Sequence, residues 1–161
     1  MFEKIAVIGV GLLGGSLCRC LKERTANIRI TGVSPVRADL SLPIAEGVVD
    51  IACSLKELSL ADLDLVVIAT PVAVSLSILE HLLERTDLND NLIITDVGSV
   101  KAPLTETALK HARADRFIGS HPMAGSEKSG YPDSTADLYR KASVIITPTS
   151  ANRQDDVDRL I

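Results

Sequence analysis

The stretch that most limits what this chain can fold into is Lys4 to Leu17. There the apolar run Ile5-Ala6-Val7-Ile8 passes into Gly9-Val10-Gly11-Leu12-Leu13-Gly14, and Leu13, Leu17, Cys20 and Leu21 then recur at helical spacing. Such an order predicts a buried strand, a glycine turn and a helix. The three glycines play different parts. Gly9 turns the chain, Gly11 lets the backbone approach a pyrophosphate, and Gly14 lets the helix lie close on the strand. The free N–H groups and positive dipole end of the helix would face the phosphates. A G-x-G-x-x-G spacing alone is weak, because glycine-rich turns arise by chance and a βα unit need not hold a ligand. Here its position between an apolar run and a helix carries the reading, with Gly9, Gly11, Leu12, Leu13 and Gly14 as the phosphate-side residues.

The rest of the chain repeats the alternation. Ile28 to Val33, Val48 to Ala52, Leu65 to Ala69 and Leu92 to Thr95 read as strands, and Phe117-Ile118 begins another. Between them, Arg37 to Glu46 reads as a short helix closed by Gly47. Pro71 opens a helix with Val72, Leu76, Leu79 and Leu83 on one stripe, and Ser99 to Arg113 reads as the next helix. Ser143 to Thr147 returns to β character, and Ser150 is placed to cap a last helix bearing Val157, Leu160 and Ile161. Residues 1–161 are one domain by length. Hydrophobic residues make up 46% and aromatics only 2%, so aliphatic side chains must fill the core, as suits parallel strands covered on both faces. The expected class is α/β: a doubly wound, mostly parallel sheet of the Rossmann type that binds NAD or NADP.

Several partners are disfavoured. The net charge of −4, without a Lys/Arg block, gives no footing for nucleic acid. Cys18, Cys20 and Cys53 lack zinc-ligand spacing and read as reduced thiols, and no metal site is expected. Glu3 and Lys4 directly before the first strand leave no room for a signal peptide. Leu65 to Leu79 is uncharged, but it is shorter than a membrane span and broken by Pro71. The expectation is a cytoplasmic chain with no membrane contact.

Which dinucleotide is favoured turns on the end of the second strand, where an NAD site commonly places Asp or Glu on the ribose hydroxyls. Ser34 stands there instead. Its hydroxyl can donate to a 2′-phosphate and Arg37 can supply charge, which favours NADP over NAD. The plainer alternative is that Ser34 only ends a strand and Arg37 is a solvated charge. Ala69-Thr70-Pro71, Asp96 to Lys101 and Ser120 to Gly125 also lie just past strand ends, where open α/β sheets bind ligands. Thr70 and Pro71 either flank the cofactor ribose or simply begin a helix, and Ser99 offers a hydroxyl at a helix start or only an N-cap. His121 sits in a glycine- and proline-flanked loop and offers an imidazole, whose ordinary pKa lies near neutrality. Oxidation of an alcohol by hydride transfer needs such a base. His81 and His111 are assigned to solvent and structure.

Gly9 to Leu17, Thr95-Asp96-Val97-Gly98-Ser99-Val100-Lys101 and Gly119-Ser120-His121-Pro122-Met123-Ala124-Gly125-Ser126-Glu127-Lys128-Ser129-Gly130 together resemble the prephenate/arogenate dehydrogenase family of tyrosine biosynthesis. The resemblance spans nearly the whole chain. It implies oxidation of a cyclohexadienyl alcohol with NAD(P), with loss of the ring carboxylate as carbon dioxide and aromatisation as driving force. By the same resemblance His121 is the base on the ring hydroxyl, Ser99 helps place that hydroxyl and the nicotinamide, and Glu127 is a loop carboxylate near the substrate entrance. Ser34 resembles members that use NADP. The substrate would be the small molecule prephenate or arogenate. Family members continue into a helical domain that makes the dimer and supplies an arginine for the substrate carboxylate, so residues 1–161 correspond to the cofactor-binding part. A stand-alone dinucleotide-binding module without turnover is the alternative, although such a module has no need of both Ser99 and His121.

Overall fold

The computed structural model describes residues 2–161. Five parallel strands form the main sheet: β1 (Lys4–Ile8), β2 (Arg29–Val33), β3 (Ile51–Cys53), β4 (Leu65–Ile68) and β5 (Ile93–Asp96), in the order β3-β2-β1-β4-β5. Helix α1 (Leu12–Arg24) follows β1, a 3-10 turn and the short α2 (Ser41–Ala45) follow β2, α3 (Val72–Glu84) follows β4, and α4 (Ala102–Ala108) follows β5. This is the doubly wound Rossmann-type architecture.

Period-two alternation in β1 explains the two layers. Ala6 and Ile8 face one side, where Val66, Ile68 and Ile94 meet Ile78, Leu79, Leu82 and Leu83 of α3 and Leu104 and Ala108 of α4. Ile5 and Val7 face the other, packing with Cys18 of α1, Ile30, Leu40 and Val67. Both faces are dry, so the strands read as continuous apolar runs rather than as alternating ones. Cys18, Cys20 and Cys53 are free thiols. Burial pushes Cys18 up to about 12, an inert state.

Register sets where ligands can enter. Cys53, Val33, Ile8, Ile68 and Asp96 lie side by side across the five strands. Every turn after them therefore opens along one edge. A second sheet, antiparallel β6 (Gly119–Pro122) and β7 (Val144–Thr147), abuts β5: the Ile118 amide donates to the Ile94 carbonyl at 2.9 Å, and Thr95 Oγ1 donates to the Ile118 carbonyl at 2.7 Å. The last helix is α5 (Gln154–Leu160).

Four local expectations need correction. The third strand begins at Ile51 rather than Val48, because the amides of Val48 and Val49 both donate to the carbonyl of Pro43, in the middle of α2. The helix expected over 99–113 is only Ala102–Ala108: Lys101 holds the N-cap position, and beyond Ala108 the amides of Lys110 and His111 bond three residues back in tight turns. Ser150 does not cap the last helix. Arg153 holds that position, and Asn152 shapes the preceding turn by accepting from the Thr149 amide and donating to the Phe117 carbonyl. Finally, His121 lies on β6, opposite Ile145, and not in a loop.

Candidate functional site

The three glycines of the turn stand in different surroundings. Gly9 has φ of +93°, and a Cβ there would meet the Ala69 carbonyl oxygen at 2.8 Å. A Cβ on Gly14 would come within 2.1 Å of the Gly9 carbonyl oxygen and 3.1 Å of Val7, so α1 lies against β1 at a distance only glycine permits. Gly11 is different. A Cβ there would meet no atom within 4 Å among the described residues, so its approach is open. Gly11 is also the N-cap of α1 and supplies no side-chain cap, and Leu12, Leu13, Gly14 and Gly15 put no acid in the first turn. The result is a helix N-terminus with accessible donors and a favourable dipole, which fits a phosphate group.

Two cavities flank this turn and share Gly9 and Ser34. One, of about 460 Å³, runs over Gly11 and is walled by Asp39, Gly130, Tyr131 and Pro132. The other, of about 590 Å³, is largely apolar and is lined by Val33, Pro35, Thr70, Pro71, Val74 and His81 among others. Pro71 is the N-cap of α3. Ser75 holds Thr70 in place: its hydroxyl donates to the Thr70 carbonyl at 3.0 Å and lies 2.9 Å from Thr70 Oγ1. His81 is exposed on α3, yet it borders this cavity.

The second-strand end is more mixed than its sequence suggested. Ser34 lines both cavities, with its hydroxyl 3.2 Å from an Asp39 carboxylate oxygen and accepting from the Val36 amide. Arg37 lines neither. Its guanidinium donates to the Ala52 carbonyl at 3.1 Å and lies 3.9 Å from the Glu57 carboxylate.

At the other end of the edge, Asp96 closes β5 with 1% of its surface exposed. Its carboxylate accepts from the Gly98 amide (2.9 Å), from the Ser120 amide (3.2 Å) and from Lys101 Nζ, while its carbonyl accepts from the Ser120 hydroxyl (2.5 Å). Lys101 Nζ also donates to the Ser120 carbonyl at 2.7 Å. These bonds bring together the turn that carries Ser99 and the strand that carries His121. Ser99 is exposed, and the helix begins three residues after it, at Ala102, so it is not an N-cap. His121 is half-buried, and Glu127 is exposed on the segment that follows β6.

That segment returns to the glycine turn at Tyr131. The phenol donates to Glu46 Oε2 at 2.6 Å, the Arg19 guanidinium stacks 4.6 Å from its ring centroid, and Arg19 also pairs with Glu46 at 2.6 Å. Burial and the Glu46 hydrogen bond hold the Tyr131 phenol well above its ordinary value. This clasp escapes sequence reasoning, because its three members lie on separate elements and share no spacing. Asp96 and Lys101 fall within a recognisable motif, but nothing in their spacing gives them roles. The available signal is a carboxylate ending a fully buried strand.

Fold and edge together define a Rossmann-type nucleotide-binding domain. Residues 17–161 match the family described as prephenate dehydrogenase, nucleotide-binding domain, and this chain belongs to that family. It is 33% identical over 150 residues to a prephenate dehydrogenase of Lactococcus lactis, covering 92% of this chain and 42% of the relative. Prephenate dehydrogenase from A. aeolicus, solved in complex with hydroxyphenyl propionate and NAD+, superposes with a TM-score of 0.87 at 28% identity, covering 99% of this chain and 55% of that one. Synechocystis arogenate dehydrogenase gives 0.84 at 30% identity, covering 98% and 54%. The chain thus spans about half, or less, of the length of the relatives it matches. Among the described residues no helix is long and apolar enough to cross a membrane.

Proposed function

We propose that this chain is the cofactor-binding part of an NADP-preferring dehydrogenase acting on prephenate or arogenate. The observation that carries the reading is the Asp96–Lys101–Ser120 network, which gathers the Ser99 turn and the His121 strand on the same sheet edge as the open glycine turn. NADP, when bound, supplies the hydride acceptor. Gly11 and the start of α1 receive the pyrophosphate, and the apolar cavity beside Thr70 and Pro71 receives the adenosine. The Ser34 hydroxyl donates to the 2′-phosphate, and Arg37 reaches it after leaving the Ala52 carbonyl. Asp39, which accepts the Ser34 proton in the structure, opposes that preference, so its carboxylate must swing away toward solvent before Ser34 can donate to the 2′-phosphate.

At the reacting end, His121 would accept the proton of the ring hydroxyl while the hydrogen on the same carbon leaves with its electron pair. The pair released as the ring carboxylate departs as carbon dioxide would enter the ring and make it aromatic, and the phenolate oxygen would take the proton back from His121. Ser99 hydrogen-bonds that hydroxyl and orients it, and Glu127 stands at the entrance. A helical domain beyond residue 161 supplies the cation for the substrate carboxylate and the dimer contact. An apolar groove of about 450 Å³, lined by Phe2, Leu21, Ile28, Val144, Leu160 and Ile161 among others, supports such a packing partner.

The test is to follow NADPH absorbance with prephenate and with arogenate, using the 161-residue chain and the full gene product. The expected result is saturable turnover by the full product and dinucleotide binding without turnover by the chain. Orientation of the reacting carbon can be worth about 7 to 11 kcal/mol of barrier, and in this reading the substrate clamp belongs to the helical domain. Binding without turnover by both would leave a nucleotide-binding module and overturn the enzymatic reading.

A further inference from the structure

Asp96 and Lys101 are more elaborate than a strand end requires. Removing a carboxylate and an ammonium from water is costly, and a well-packed apolar pair can be equally stable. The attachments of this pair are also unusual in their reach. Asp96 accepts from Gly98 on one side and Ser120 on the other, and Lys101, whose side chain is 16% exposed, spans from Asp96 to the Ser120 carbonyl. The surrounding backbone is fitted to it: a Cβ on Gly98 would sit 3.0 Å from Asp96 Oδ2, and one on Gly119 would sit 3.4 Å from Lys101 Cδ. Ser99 follows Gly98 directly, and His121 follows Ser120. The two side chains assigned to the reacting hydroxyl are therefore each one residue from a group held by the same ion pair.

We propose that Asp96 and Lys101 are a positioning pair that fixes the spacing of Ser99 and His121 across the β5–β6 junction, without themselves touching substrate. The inference rests on the functional reading given above for Ser99 and His121. Lys101 has both its acceptors inside the protein, and Asp96 is sealed by three donors. Their effect is transmitted through the backbone of Gly98 and Ser120. Without the pair, the Ser99 turn and the His121 strand would remain folded but would no longer share a common anchor.

The test compares Lys101→Met, which keeps the apolar stem, with Lys101→Arg, which keeps the charge, in the full gene product and in the chain. Lys101→Met is expected to lower kcat by about 10²-fold, the size of effect a misplacement of about 1 Å produces, while changing affinity for 2′-phospho-ADP-ribose by less than about threefold. Lys101→Arg should recover part of that loss. In the chain itself, amide exchange at Gly98 and Ser120 should quicken in Lys101→Met while Ala6 and Val7 stay protected. Unchanged kcat, or loss of 2′-phospho-ADP-ribose binding together with kcat, would overturn the pair's role. If wild-type protein bound no dinucleotide, the functional reading would fall, and with it the role assigned to Ser99 and His121; exchange at Gly98 and Ser120 would still report whether the anchor exists.

Discussion

The two ends of the ligand edge are built from different materials. At the Gly9–Gly14 end the ligand-facing surface is backbone, shaped by the absence of side chains: Gly14 admits the helix, and Gly11 leaves open space before a helix N-terminus. At the Asp96–His121 end the surface is made of side chains, and a buried ion pair joins two segments about 20 residues apart in sequence. Holding a pyrophosphate requires donors and room. Holding a reacting hydroxyl requires particular groups at a particular spacing, and a backbone turn alone cannot fix that.

Substitutions can break this contrast. The largest effect is expected at the side-chain end: His121→Asn in the full gene product should lower turnover by about 10² to 10⁴, the usual cost of losing a general base. Dinucleotide affinity, measured by calorimetry, should hardly change. Near-normal turnover would reduce His121 to a strand residue.

At the backbone end, two glycines should separate stability from binding. Gly14→Ala drives a methyl into the Gly9 carbonyl, and denaturant unfolding should show a loss of about 3 kcal/mol, at the upper end for overpacking. Gly11→Ala meets open space and should cost no more than about 1 kcal/mol of stability. Its affinity for NADP should nevertheless fall about tenfold, or 1.4 kcal/mol. If the two variants behaved alike, the division of labour in the turn would be wrong.

The backbone end was legible in sequence because its determinants are local. Three glycines at fixed spacing after an apolar run specify the turn whatever else the chain does. The strand-end rule also put Thr70 and Ser99 past strand ends along one edge, as the register has them. Less could be read where tertiary hydrogen bonds decide. The Pro43 carbonyl displaced the start of β3, Asn152 took the turn expected to centre on Ser150, and β7 gave His121 a strand partner. Arg37 looked like a phosphate ligand by its position, yet its guanidinium lies against Ala52 and Glu57. Asp39 is hidden in the sequence because it is five residues past Ser34, and only the 3-10 turn that carries it brings its carboxylate back.

That corner sharpens the comparison, since the proposed function gives a side chain there the choice between dinucleotides. Ser34→Asp should reverse the proposed NADP preference in favour of NAD by one to two orders of magnitude, about 1.4 to 2.8 kcal/mol. Calorimetric titration of both dinucleotides reads it directly. Wild-type protein that bound NAD as tightly as NADP would remove the preference.

The smallest effect lies outside both ends. Burial alone would raise the Asp156 carboxyl, but hydrogen bonds and charge from Arg153 and Arg159 outweigh it and hold the group below the ordinary carboxylate value. The unfolded chain binds that proton more readily. The stabilisation is therefore complete above pH of about 4 and is lost as pH falls through the folded value. Asp156→Asn should cost about 1 kcal/mol at neutral pH. The Tm gap from wild type should close on acidification, with dinucleotide binding unaffected throughout.

The most direct measurement is calorimetric titration of the 161-residue chain with NADP and with 2′-phospho-ADP-ribose, which lacks the nicotinamide. A single site is expected for both, with affinities within about tenfold of each other, because the glycine turn and its flanking cavities lie wholly within this chain. Binding of neither ligand by folded protein, or binding of NADP that vanishes when the nicotinamide is removed, would contradict the assignment of the backbone-built end as the anchor.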